Sequence, residues 1–311
     1  MGRLVVARRV FPRLVFAGLV VGLALASCDA APVPTPAPRP SAPSPEADPA
    51  PLAVDRALLL QATDRRVLDE VVLAGLVAAD PALRRLAVRA IAQLHDPTQA
   101  ERLRRGLRDT DPEVRDMASL GLGALEVSAP PEAQRWLAGA IAAEPEVEVQ
   151  AHMVRDLGRL GRALTRALDD DEPALRAAGC WALGEAALRG QALEPAARAR
   201  AASLVSGEPD EVRLACTWAL GRPPPLDAPS PGLEVALTLA LGDPDPEVRA
   251  LAHRALSRAR PSSLDPLSHG VADEDWRVAV AAIRALASAA TGLEGARTLA
   301  GALSGASQHT S

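Results

Sequence analysis

The chain has 311 residues, 34 basic and 39 acidic side chains and a net charge of −5, which excludes the cationic footprint of a nucleic-acid binder. It has no Lys, Asn or Tyr, and its two Phe, Phe11 and Phe16, lie near the N-terminus, so four Trp are the only large aromatic platforms further on. Three cysteines, Cys28, Cys180 and Cys216, are too few for a disulfide framework.

The first segment reads as an export signal. Arg3, Arg8, Arg9 and Arg13 precede the apolar run Leu14–Ala26, and no acid occurs before Asp29. The run is too short to span a bilayer, which takes roughly twenty residues. It ends in Leu25-Ala26-Ser27-Cys28, small residues before a thiol, and this resembles the lipobox of bacterial lipoproteins. The resemblance implies that residues 1–27 are a signal peptide removed before Cys28. It also implies that Cys28 carries a diacylglyceryl thioether and that the new N-terminus is acylated. An ordinary signal peptide or a retained anchor are the alternatives. One acyl chain binds membranes reversibly, whereas two or three hold firmly, so the expected protein is exported and membrane-anchored. Asp29 resembles an inner-membrane retention signal, a rule that does not transfer between bacteria, so the membrane stays open. The cleaved chain loses four arginines and no acid, leaving 30 arginines against 39 acids, a net of −9. After Cys28, the stretch to residue 51 is dense in Pro, Ala and Ser and predicts a semi-rigid spacer of roughly 3 Å per residue.

From residue 52 to 303 the chain repeats itself. DPALRRLAVRAIAQL from Asp80, DPEVRDMASLGLGAL from Asp111, EPALRAAGCWALGEA from Glu172, DEVRLACTWALGRP from Asp210 and DPEVRALAHRALSRA from Asp245 are versions of one unit. Weaker copies start at Glu148 and Arg277. With the shared Arg as origin, the reference residues are Arg84, Arg115, Gln150, Arg176, Arg213, Arg249 and Ala279, at intervals of about 26 to 37 residues, the range of solenoid arrays. One residue before the origin stand Leu83, Val114, Val149, Leu175, Val212, Val248 and Val278. Seven after it stand Ile91, Leu122, Leu157, Leu183, Leu220, Leu256 and Leu286. Small residues dominate at offsets of three and eight. This spacing predicts a helix buried along one stripe and packed closely on its neighbours. An acid, often followed by Pro, starts each helix as N-cap and first-turn residue, and a shorter amphipathic helix precedes it. The plan is two antiparallel helices per unit.

These motifs resemble HEAT repeats, specifically the short HEAT-like type of phycobilisome lyases and deoxyhypusine hydroxylase. The expected fold is all-α: an α-solenoid of about seven helical-hairpin repeats, with residues 304–311 as a flexible tail. The resemblance implies that Arg84, Arg115, Arg176, Arg213 and Arg249 form a structural ladder with loop acids, interrupted where Gln150 and Ala279 stand. Hydroxylases of that type hold a di-iron centre with His-Glu pairs, and the chain contains no His-Glu dipeptide, so no metal site is expected. No catalytic motif and no cofactor beyond the lipid on Cys28 stand out. Acidic loops such as Asp169–Glu172 lack the pattern of a calcium loop. Cys180 and Cys216, one register position apart on neighbouring helices, read as buried free thiols.

Five residues after the origin come Arg89, Leu120, Arg155, Trp181, Trp218, Arg254 and Arg284, about 200° from the core stripe. In HEAT-type solenoids the second helices line the concave face, so Trp181 and Trp218, flanked by Arg155 and Arg254, are the candidate strip for a protein or peptide partner. The competing view is that the two Trp are ordinary packing. The expected function is a membrane-anchored HEAT-repeat scaffold of the cell envelope, non-catalytic. The alternative is a HEAT-like enzyme or maturation factor of lyase-like or oxidoreductase-like type, which metal and chromophore analysis would separate. A bare spacer is a third possibility.

Overall fold

The computed structural model describes residues 55–222, 230–290, 296–302 and 304. The expected signal, Cys28, the linker and residues 305–311 lie outside the described residues. What is described is all helical: α1 (Arg56–Arg65), α2 (Glu70–Gly75), α3 (Pro81–Leu94), α4 (Ala100–Gly106), α5 (Pro112–Ala124), α6 (Ala133–Ala143), α7 (Val147–Arg159), α8 (Pro173–Leu188), α9 (Pro195–Ser203), α10 (Asp210–Leu220), α11 (Pro231–Ala240), α12 (Pro246–Arg258), α13 (Asp265–His269) and α14 (Trp276–Ala289).

Four of the second helices start on an acid that caps them, whereas Glu146, Glu172 and Pro209 make no side-chain cap bond at the starts of α7, α8 and α10. Asp80 accepts from the Ala82 amide at 2.8 Å, Asp111 from Val114 at 3.1 Å and Asp245 from Glu247 at 2.8 Å. Pro81, Pro112, Pro173 and Pro246 occupy the first turn, where a missing N–H costs nothing.

The helices α3, α5, α7, α8, α10, α12 and α14 pack in one continuous row, each on the next, and α1 packs on α3 to begin it. The first helices form a second row, in which neighbours such as α4 and α6 or α9 and α11 meet more sparsely. The second helices thus form the more tightly packed of the two rows, and their side away from the first helices is the inner face. Of the fourteen aliphatic side chains one before and seven after the origin, thirteen are buried and Leu83 is half-buried. Each fully buried Leu or Ile contributes about 1.5–3 kcal/mol of transfer free energy. α8 supplies side chains to both of the clusters that make up the core.

The two-helix plan fails in the fourth unit. Between α7 and α8 the chain makes only a 3-10 segment, Thr165–Asp169. The interval from Gln150 to Arg176 is too short for a full hairpin, and α7 and α8 close up as a result. A Cβ on Gly158 would lie 2.5 Å from Ala182 Cα, so only glycine fits there.

The expectation of free thiols is overturned between α8 and α10. Cys180 on α8 and Cys216 on α10 form a disulfide, with Cα atoms 4.8 Å apart. Spacing of 8–10 Å between equivalent positions assumes ordinary helix packing. Here Gly184 leaves room for the Trp218 ring of α10 against α8, and the one-position offset brings the two sulfurs together. Cys216→Ser is expected to cost about 2–4 kcal/mol, since the bridge closes a loop of 36 residues. Thermal melts of oxidised and reduced protein check this, and identical midpoints would show that the bridge stabilises nothing.

Candidate functional site

Two features of the array involve charged residues in a repeated geometry. The first is structural and runs through the loops. Arg84 places Nε and Nη2 on the two oxygens of Asp109 at 2.8 Å each, while its Nη1 donates to the Ala78 and Ala79 carbonyls. Arg115 does the same to Glu144, at 2.7 and 2.6 Å. Arg213 forks onto Asp243 and Arg249 onto Asp273. Arg176 directs both Nε and Nη2 at one oxygen of Glu208. Each guanidinium therefore holds its own loop and the loop of the next unit. The acid in turn accepts an amide two residues on, as Asp109 does from Asp111 and Asp273 from Asp275. The ladder breaks at Gln150, whose amide donates to the Ile141 carbonyl instead.

The carboxylates respond to their cations. Asp109 and Asp273 are held below the ordinary Asp range by the hydrogen bonds from Arg84 and Arg249. At Glu144 burial pushes upward, but the Arg115 fork and the Glu146 amide outweigh it and hold the group low. These acid partners escaped the sequence reading, although a signal was present. Asp109, Glu144, Asp243 and Asp273 all stand six residues before an origin.

The second feature lies on the inner face. Arg155 of α7 stacks over the Trp181 ring at 4.9 Å, Trp181 of α8 tilts against Trp218 of α10 with centroids 4.6 Å apart, and Arg222 stacks over Trp218 at 4.4 Å. Stacked contacts of this kind contribute roughly 0.5–2 kcal/mol each. Arg155, Trp181 and Trp218 are half-buried, whereas Arg89, Leu120, Arg254 and Arg284 at the same offset are exposed. The close approach of α7, α8 and α10 explains the difference. A Cβ on Gly184 would sit 2.0 Å from the Trp218 ring, so Trp218 is wedged against α8 as well as facing the strip. Arg254, one helix further on, does not touch either Trp. Arg222, which lies outside the repeat register, joins the strip in its place.

Among the described residues, the buried Nε atoms of Arg155 and Arg222 have no hydrogen-bond partner. Burial holds Arg222 below the ordinary Arg range, the Arg254 and Arg258 cations add to this, and Glu185 only partly opposes them. Beyond Arg222, a groove of about 1030 Å³ runs between α12 and α14. Arg254, Arg258, Arg260, Arg277 and Arg284 line it with a single carboxylate, Glu247, over an apolar floor that includes Leu251 and Leu264.

Two further buried ionisable groups belong to the packing. Asp156 is 3% exposed, accepts from Ser119 at 2.8 Å and Arg159 at 3.1 Å, and is pushed up to about 6 by burial. His253 is 2% exposed against Gly270 and is pushed down to about 4 by burial. Among the described residues no group of three or more His, Cys, Asp or Glu could hold a metal ion, and no helix is long and apolar enough to cross a membrane.

The HEAT-repeat family model matches residues 69–146 and 233–306, so the chain carries HEAT repeats toward both ends of the array. No curated protein matches the chain. Among solved structures, a chain in the complex of Kap95p with RanGDP is similar at a TM-score of 0.51 and 13% identity, over 78% of this chain and 38% of that one. An engineered protein is similar at 0.48 and 18% identity, over 79% and 77% of the two chains. Human deoxyhypusine hydroxylase, solved with glycerol, reaches 0.34 at 18% identity, over 75% and 88%. At such identities the likeness is one of fold.

Proposed function

We propose that this protein is an exported, lipid-anchored HEAT-repeat scaffold that binds a protein or peptide partner in the cell envelope and catalyses no reaction. The observation that carries this is the inner strip, where Arg155, Trp181, Trp218 and Arg222 stack in one column with two guanidinium nitrogens left unpartnered. Trp and Arg dominate the energetics of protein interfaces, and a row of helices offers them a long, shape-specific surface. Binding of a partner protein by a chain in the Kap95p complex is compatible with this use of such a fold, and it concerns that protein alone.

Export is supported by two independent features. The basic and apolar segments before Cys28 have the layout of a cleaved signal. The Cys180–Cys216 bridge belongs to oxidising compartments, where disulfides persist. Cys28 is the proposed lipid attachment point and the membrane contact of the protein. No cofactor other than this lipid is proposed.

The experiment has two arms. Metabolic labelling with radioactive palmitate is expected to mark the native chain and not Cys28→Ser, which moves from the membrane fraction to the supernatant. A photo-crosslinking amino acid in place of Trp181, in intact cells, is expected to capture a defined partner. Arg155→Ala is expected to weaken that capture at least tenfold without loss of helicity. Unlabelled native protein overturns the anchor, and crosslinking to nothing specific overturns the scaffold.

A further inference from the structure

Resting on that scaffold reading, we infer that the inner face recognises an acidic, extended segment of the partner protein, with one end seated in the groove between α12 and α14. The chain as a whole is acidic, with 39 acids against 34 bases, yet this groove carries five arginines and one glutamate. Segregating positive charge onto a concave, low-dielectric wall focuses potential on whatever enters it.

The arginines are not all equivalent. Arg277 forks onto Asp275 and is neutralised within the chain. Arg254 and Arg284 are exposed on α12 and α14, and among the described residues no ion pair engages either of them. Further back, Arg222 is desolvated over Trp218 with its Nε buried and unpartnered, and Arg254 and Arg258 repel it. A half-buried cation held against like charges is costly unless an anion shares the site. The ladder shows that the same fold pairs its arginines with carboxylates wherever they serve stability.

The spacing favours a peptide over a single small anion. Arg155, Arg222, Arg254 and Arg284 lie on or just after α7, α10, α12 and α14, and helices packed 8–10 Å apart, closer where α7, α8 and α10 meet, spread this row over at most roughly 35 Å. Inorganic phosphate can touch neighbouring arginines but cannot bridge that distance. An extended chain rises about 3.3 Å per residue, so about eleven residues cover it. Alternation suits the surface: carboxylates on one side meet Arg254 and Arg284, and apolar side chains on the other reach Leu251, Leu264 and the Trp shelf. Charge-assisted, bidentate guanidinium–carboxylate contacts supply the specificity.

The probe is a fluorescein-labelled peptide of about eleven residues alternating Glu and Leu, compared with its Gln–Leu counterpart, titrated into the full chain in detergent and read by anisotropy. The Glu peptide is expected to bind at least tenfold more tightly than the Gln peptide, and added salt should weaken it. Arg254→Gln with Arg284→Gln, both exposed and fold-neutral by circular dichroism, should lose at least tenfold, while Arg135→Glu on the outer helix α6 changes nothing. Equal binding of the two peptides overturns the inference, as does full affinity in the double variant. Complete displacement by inorganic phosphate overturns it in favour of a small-anion site. Binding of phosphatidylglycerol vesicles that depends on Arg254 and Arg284, with the Glu peptide ignored, overturns it in favour of a lipid surface. If the peptide fails while the Trp181 crosslink still captures a partner, acidic recognition falls and the scaffold stands; if both fail, both fall.

Discussion

Arg115→Met destabilises the array by about 3–5 kcal/mol, the cost of leaving one half of a buried ion pair without its partner. Glu144 keeps only 1% of its side chain exposed and Arg115 13%, with Nη2 and Nε at 2.6 and 2.7 Å from the two carboxylate oxygens. Removing the guanidinium strands the carboxylate and also frees the Asp109 and Thr110 carbonyls that Nη1 holds. Most of the loss is the desolvation of Glu144 rather than the net value of the pair, so Arg115→Met with Glu144→Gln recovers a large part of it. Arg85, paired with Asp111 and Glu113 at a third exposure, is the control. Its replacement costs little, because water screens the pair. Chemical unfolding followed by circular dichroism decides the matter. A double variant no more stable than Arg115→Met, or an Arg85 variant equally damaged, would refute the account.

The ladder also shows what a single sequence displays and what it hides. The buried stripe was legible because period and composition agree: an aliphatic residue at two fixed offsets in seven copies has no other use in a helix. The array, its caps and the helix starts follow from that pattern. Cys180 and Cys216 illustrate the opposite case. Their bridge depends on the distance between α8 and α10, which Gly184 helps set by leaving room for Trp218, and no local pattern encodes such a distance. At the inner strip, the offset of five identified Trp181, Trp218 and Arg155 as neighbours on one face. Arg222 was missed because it follows the end of α10, where the repeat register no longer applies. The acid partners at six before the origin were hidden for a different reason: Asp and Glu crowd every loop, and most of them cap helices rather than join the ladder.

Asp156→Asn stabilises the protein at neutral pH and makes it acid-sensitive, the second large effect expected from the buried groups. Asp156 titrates at about 6 in the fold against 3.8 unfolded, so its charge costs stability above pH 6, and that cost disappears as pH falls toward 3.8. His253 has the opposite sign. Its folded value of about 4 lies below 6.5, so stability falls as pH drops from 6.5 to 4, because the unfolded chain takes up the proton first. Each shift of two units or more corresponds to about 3 kcal/mol at 1.36 kcal/mol per unit. In the native chain the two slopes oppose each other across the same window, and stability between pH 6 and 4 is nearly flat. Below pH 4 the ladder carboxylates, held low by Arg84, Arg213 and Arg249, become protonated and the fold weakens. The Asn variant keeps an oxygen for Ser119 and Arg159 and removes the buried charge, so it gains up to about 3 kcal/mol at pH 7, a net figure that already includes the attraction to Arg159. It then loses about 3 kcal/mol on acidification to pH 4, with nothing to offset His253. His253→Leu produces the mirror image, a protein that grows more stable between pH 6 and 4. Thermal midpoints of the three proteins at pH 4, 5, 6 and 7 separate these outcomes, and parallel curves for native chain and Asn variant would mean that Asp156 is already neutralised by Arg159.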